Sequence, residues 1–336
     1  LWFGSAVHAG LADWYLPGLE RGRHPAETFD EALEGDRSFA VTNEEEEKEY
    51  ADARELGMSM LHQYTDFYGE DEYWDVIATE EPFRVWIPHP QDKGNKRWLR
   101  YVGTWDGVIR DRTSGEVWLL EHKTAASISP LHLPLDDQAG AYWAVATATL
   151  RKRGVLKPRE EIAGILYNFL RKALPDTRPV NERGVRTNKP QKQHYFDQLK
   201  DVPGLPVNTA YLAKMKIDEM EELAINAGIV ILGEESKQQP PPFFERFQIY
   251  RSRVERRYMI QRIQNEAVYA EAWRAGDERF PLYKTPVAMG PQACQHHCAF
   301  YRMCQLHEQG DDTWMEFRDT MFNTQDPYAD HERKSA

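Results

Sequence analysis

Cysteine is scarce. The chain has three in 336 residues, all between Cys294 and Cys304, which excludes a disulfide framework spread through the fold. No apolar run approaches the 18 or so residues that cross a bilayer, and no signal peptide is visible. A cytoplasmic protein, from a bacterium or a phage-infected host, is the expectation. No Gly-x-x-x-x-Gly-Lys phosphate loop occurs, which excludes a helicase motor of that kind. Net positive charge is lacking too: 42 Lys and Arg against 54 Asp and Glu leave −12, which argues against a general polyanion binder. The chain opens on Leu1, not Met, and reads either as missing upstream residues or as having an unusual first codon.

What is present suits one large domain of residues 1–326 with a polar tail, 327–336: 41% hydrophobic and 29% charged residues. Charge is unevenly spread. Residues 27–81 carry 19 acidic against 3 basic side chains, and residues 151–200 carry 13 basic against 5 acidic. Screening confines such fields to about 8–10 Å, so a local basic surface can still meet phosphates on an acidic protein.

The stretch from Arg97 to Thr124 organises the chain. It predicts two strands joined by the turn formers Asp111-Arg112-Thr113-Ser114-Gly115. A hairpin centred between Thr113 and Ser114 places Asp106 opposite Glu121, about 5 Å away. Lys123 projects to the same face as Glu121. Facing carboxylates repel unless one is protonated or a cation lies between them, and hard divalent cations such as Mg²⁺ or Mn²⁺ take oxygen donors. An isolated triplet of this kind is more often a solvated hairpin face with a salt bridge. The apolar run before Glu121 and partners elsewhere shift the reading toward a site.

The pattern Asp106, then Glu121-His122-Lys123, resembles the PD-(D/E)XK nuclease superfamily. Further matches are similar to its RecB-like branch, which includes CRISPR-associated exonucleases and has stand-alone phage members. Phe3-Gly4-Ser5-Ala6-Val7-His8-Ala9-Gly10-Leu11 looks like the first motif of that branch, which makes His8 a metal ligand; imidazole suits Mn²⁺ better than Mg²⁺. A glutamate commonly precedes a Phe-containing strand there, and Glu80 fits that spacing to Phe83 better than Glu81. Gln138-Ala139-Gly140-Ala141-Tyr142 matches the Gln-x-x-x-Tyr motif that contacts the site and the DNA strand. Cys298-x5-Cys304 fits the last interval of a [4Fe–4S] cluster motif, with Cys294 one residue out of step. A Zn²⁺ site using His296, His297 or His307 is the competing reading. Either is structural.

The resemblance implies an α/β fold: a restriction-endonuclease-like core, with a central mixed β-sheet flanked by helices. An acidic helical insertion is expected at about 21–73 and the cysteine region at 286–312. It implies a Mg²⁺- or Mn²⁺-dependent DNA exonuclease acting on single- or double-stranded ends in recombination, repair or phage DNA processing. Asp106, Glu121, His8 and the Leu120 carbonyl would hold metal. Lys123 would position the attacking water, and Gln138 and Tyr142 the strand. A structure-specific endonuclease, a non-catalytic DNA-end binder and a subunit of a helicase or recombinase are the alternatives.

Elsewhere the sequence predicts a strand at 74–90, a helix from Gln138 to about Lys152, a strand at 163–170 and helix over 208–231. One long helix is expected from Phe243 to Arg274. Its arginines 251, 253, 256, 257 and 262 suggest a DNA-facing stripe or pairing with the acidic segment. Residues 175–192 read as a mobile basic loop, and Tyr195-Phe196 as a base-stacking pair.

Overall fold

The computed structural model describes residues 2–41, 43–205, 207–277, 279 and 298–323. Cys294, His296, His297 and the tail 327–336 lie outside the described residues.

Three helices come first: α1 (Trp2–Trp14), α2 (Pro25–Ala40) and α3 (Glu44–Tyr68). The starts of α2 and α3 are written locally. His24 Nδ1 accepts the Ala26 amide ahead of Pro25, and Asn43 accepts the amides of Glu45 and Glu46. Gly69, at φ 61°, ends α3. Strands β1 (Trp74–Ile87), β2 (Leu99–Asp111) and β3 (Val117–Ala125) follow. The β2–β3 turn is held by Asp111 Oδ1, which accepts the Thr113 amide at 2.7 Å. Helix α4 (Asp137–Lys152), capped by Asp136, crosses over to β4 (Ile162–Arg171).

The strands form one mixed sheet in the order β1-β2-β3-β4-β5, with β5 spanning Phe244–Tyr250. Only β3 and β4 run parallel. A parallel pair needs a crossover and is covered on both faces, and β3 is accordingly buried from Val117 to His122. Alternation sorts its side chains. Trp118 and Leu120 pack with α1, α2 and α3 on one face; Val117 and Leu119 pack with α4 on the other. The acidic segment thus supplies a core layer: Phe29, Leu33, Met60, Leu61 and Tyr64 are fully buried there, and Asp71 turns inward to Arg246.

Four expectations are corrected. Residues 244–250 are not the start of a long helix but an edge strand antiparallel to β4. The helix begins only at Arg253 (α8, Arg253–Arg274, numbered after the short helices below), where Ser252 and Glu255 form a reciprocal cap. The 208–231 helix is two short ones, α6 (Thr209–Leu212) and α7 (Ile217–Asn226), which follow α5 (Lys192–Leu199). The basic segment 175–192 is tied down: Arg178 pairs with Asp176, Arg183 with Glu235, and Thr187 bridges Glu235. Tyr195 is no stacking platform, being buried with Leu199, Leu212 and Met220 in a small core that also takes Phe196. On α8, Arg253 and Arg256 pair with Glu161 and Arg262 with Asp137, and Arg251 just before it pairs with Glu255, all outside the segment 27–81.

Candidate active site

The β2–β3 register runs from Arg110↔Val117 to Gly107↔Leu120. One position further, Asp106 faces Glu121, and there the ladder ends. Asp106 Oδ2 instead accepts the His122 backbone amide at 2.8 Å. A side chain thus takes the place of a strand hydrogen bond and pins the aspartate where the strands part.

The β1 side is irregular at the same level. Thr79 pairs with Gly107 and Glu81 with Trp105, which leaves Glu80 beside Asp106. Glu80 has φ +44°, a left-handed conformation that costs a side-chain-bearing residue about 1–2 kcal/mol. The carboxylate so placed joins Asp106 and His8. One donor atom from each lies within 4.8 Å of the other two. Glu81 goes elsewhere and pairs with Arg153.

His8 reaches this point from α1, with Nδ1 3.4 Å from Asp106 Oδ1. Close packing of α1 on α2 sets that reach. A Cβ on Gly10 would stand 2.4 Å from the Pro25 carbonyl oxygen. Burial opposes charging of His8, but Asp106, Glu80 and Glu121 together carry its pKa above the ordinary value. Burial likewise works against the Asp106 carboxylate, yet His8 and His122 hold it below the ordinary aspartate range.

On the α4 face, Lys123 Nζ donates to Glu121 Oε1 at 2.6 Å and stands 3.9 Å from Asp136 Oδ2. Asp136 also caps α4, so the lysine links the strand to the helix start. Burial, with the Asp106 charge added and Lys123 opposing, pushes Glu121 up to about 7. Burial pulls Lys123 down, but Glu121, Asp136 and Asp106 more than offset it. Gln138 hydrogen-bonds Tyr142, whose pKa burial raises. The Tyr142 ring lies edge-on to Phe83 at 5.1 Å. Gly103 makes room for both rings: a Cβ there would meet Phe83 at 2.6 Å and Tyr142 at 2.9 Å.

Sequence reasoning thus placed Asp106, Glu121, Lys123, Gln138, Tyr142 and His8 in one neighbourhood, and the structure brings them together. Leu120 is buried in β3 between β2 and β4. Glu121 is not part of the three-residue donor group; its near partner is Lys123. Of the cysteine region, Cys298 and Cys304 are described as free thiols at α9 (Tyr301–Glu308), and the His307 ring packs against Trp314.

Other participants escaped sequence reasoning. Beneath the site His122 is buried, its Nδ1 accepting from Asn168 Nδ2 at 2.9 Å. Arg246 joins Asn168, Tyr64, Tyr15 and Asp71 in one buried network and lies over the rings of Tyr68 and Trp74, 3.4 and 3.9 Å from their centres. The signal for Arg246 was an arginine within the aromatic run Phe243-Phe244-Glu245-Arg246-Phe247; for Asp136, an aspartate just ahead of an apolar-periodic helix. No helix among the described residues is long and apolar enough to cross a membrane.

Compared with known proteins, residues 1–305 match the family model PDDEXK_1, described as PD-(D/E)XK nuclease superfamily. No curated protein matches the chain.

Proposed function

The chain belongs to the PD-(D/E)XK nuclease superfamily, and on that footing we propose that it is a Mg²⁺- or Mn²⁺-dependent deoxyribonuclease acting on DNA ends, in the manner of the RecB-like branch. The observation that carries this reading is the convergence of His8, Glu80 and Asp106 beside the Glu121–Lys123 pair.

The donor set fits the implied cation. Two carboxylates and an imidazole are hard-to-borderline donors, and the imidazole favours Mn²⁺ over Mg²⁺. His8, Glu80 and Asp106 would hold the ion, with Glu121 and the Leu120 carbonyl next to them. When bound, it would supply Lewis-acid polarisation of a phosphate oxygen and of the attacking water. Glu121, with its pKa near 7, is suited to take the proton of that water. Lys123 orients the Glu121 carboxylate and offers positive charge to the phosphoryl oxygens as negative charge builds on them. Gln138 and Tyr142 line the approach on α4 and would hold the strand.

The cysteines stand outside this chemistry.

The test is digestion of end-labelled linear and covalently closed circular DNA, single- and double-stranded, with Mg²⁺, Mn²⁺ or EDTA and with Glu121→Ala alongside. Metal-dependent loss of linear DNA alone, absent in the variant, is the expected result. Cutting of circles overturns the end specificity. Loss of no substrate overturns the deoxyribonuclease reading.

A further inference from the structure

We propose that a basic pocket at the outer end of β1, against the C-terminal end of α4, is a second nucleic-acid site that holds a single-stranded stretch of the substrate by its phosphates and one unpaired base. This inference rests on the nuclease reading for the class of ligand.

The pocket has a volume of about 540 Å³, and its lining includes Arg84, Trp86, Lys96, Arg97, Lys152 and Arg153. No carboxylate is among the lining residues. Of its cations Arg153 is paired with Glu81, which lies outside that lining; Lys96, Arg97 and Lys152 gather there on a chain of net charge −12. The β1–β2 loop that forms one wall, residues 88–98, carries Lys93, Lys96 and Arg97 against Asp92 alone. Asp92 is turned to the loop itself, accepting the Gly94 amide at 3.0 Å. Lys152 and Arg153 stand at the C-terminal end of α4 and so partly offset its carbonyl dipoles. Lys96 and Arg97 add charge beyond that offset. Trp86 is 50% exposed, a flat ring among cations, which is how sequence-tolerant single-strand sites are built.

The pocket is joined to the candidate active site through strand β1, which carries both Glu80 and Trp86. Arg153 pairs with Glu81 and donates to the Pro82 carbonyl at 2.9 Å, next in sequence to Glu80. From Glu80 to Trp86 the strand advances six residues, about 20 Å at 3.3 Å per residue. At 3.4 Å per stacked nucleotide that is about six nucleotides. A strand held at the metal-ligand cluster can therefore reach the pocket along the sheet edge, and a shorter one cannot span both.

The experiment measures binding of labelled oligodeoxythymidylates of 4 and 12 nucleotides and a 12-base-pair duplex by anisotropy, in EDTA, over a salt series. The proteins are the wild type, the triple variant Arg84→Gln/Arg97→Gln/Lys152→Gln and Trp86→Ala, each checked for an unchanged melting temperature. Each lost phosphate contact on a single strand removes about 0.7 from the slope of log K against log salt, so the triple variant should bind the 12-mer with a slope shallower by about 2. Trp86→Ala should weaken the 12-mer on the order of 10-fold and the duplex far less. The affinity gained between 4 and 12 nucleotides should vanish in the triple variant. Wild-type cleavage of the 12-mer with Mn²⁺ is scored in parallel. Cleavage with equal salt slopes in wild type and triple variant overturns this site and leaves the nuclease reading standing. A shallower slope without wild-type cleavage supports the site and sinks the nuclease reading.

Discussion

Replacing His122 by asparagine should make the metal-free protein gain stability in acid relative to the wild type. His122 lies in the middle of β3 and is buried, and burial pushes its pKa down from 6.5 to about 3. Between those values the unfolded chain binds the proton and the folded chain does not. Stability from this residue is full above pH 6.5 and drains as pH falls toward 3. From pH 7.5 to pH 5.0 the loss is about 2 kcal/mol, at about 1.4 kcal/mol per pH unit below 6.5. Glu121 runs the other way. Its folded pKa of about 7 exceeds the ordinary 4.5, so its contribution is full below 4.5 and is lost as pH rises through 7. Over the same interval it contributes about 2.5 kcal/mol in favour of the acid side. The two nearly cancel in the wild type, and single variants separate them. Asparagine keeps the backbone amide that Asp106 accepts and an acceptor for Asn168. Urea unfolding in EDTA at pH 7.5 and 5.0 should therefore show His122→Asn gaining about 2 kcal/mol on the wild type in going to pH 5.0. Glu121→Gln should lose slightly more than that. If His122→Asn tracks the wild-type pH profile, the buried neutral histidine is refuted.

Other perturbations reach the remaining parts of the site. Lys123→Ala removes the ammonium that donates to Glu121 at 2.6 Å; turnover should fall by about 100-fold or more, with DNA binding in Ca²⁺ retained, and a normal rate would refute the role given to Lys123. Gly103→Ala drives a Cβ into the Phe83 and Tyr142 rings, so a loss of about 1–3 kcal/mol should appear in thermal melts, together with lowered activity. Arg246→Met leaves the Asp71 carboxylate, 9% exposed, without its cation and should destabilise the fold by about 3–5 kcal/mol in chemical denaturation. A change below about 1 kcal/mol would show that the network contributes little.

The sequence by itself determined the central hairpin. Turn formers at 111–115 and alternation on either side fix a register, and a register in strands of period two fixes which side chains share a face. Asp106 opposite Glu121, and Lys123 beside Glu121, follow from that alone. The helix carrying Gln138 and Tyr142 was legible from its apolar period, read from Gln138; it starts one residue earlier, at Asp137, behind the Asp136 cap. These are local rules acting over a few residues. The strand at 244–250 was missed because seven residues of mixed polarity fit helix and strand alike; only pairing along the β4 edge selects the strand, although the Ser252–Glu255 cap marks where helix must begin. The family resemblance already pointed to His8 and favoured Glu80 over Glu81; tertiary structure decided how the two reach Asp106 in the candidate metal-ligand group. Glu80 enters through a left-handed backbone that no propensity favours, and His8 arrives on a helix packed across the sheet from far away in sequence. It also decided where the basic residues go: most α8 arginines close on Glu161 and Asp137, whereas Lys96, Arg97 and Lys152 gather around Trp86 in a pocket whose lining holds no acid. Both outcomes depend on contacts between distant segments, which residue spacing along a chain does not encode.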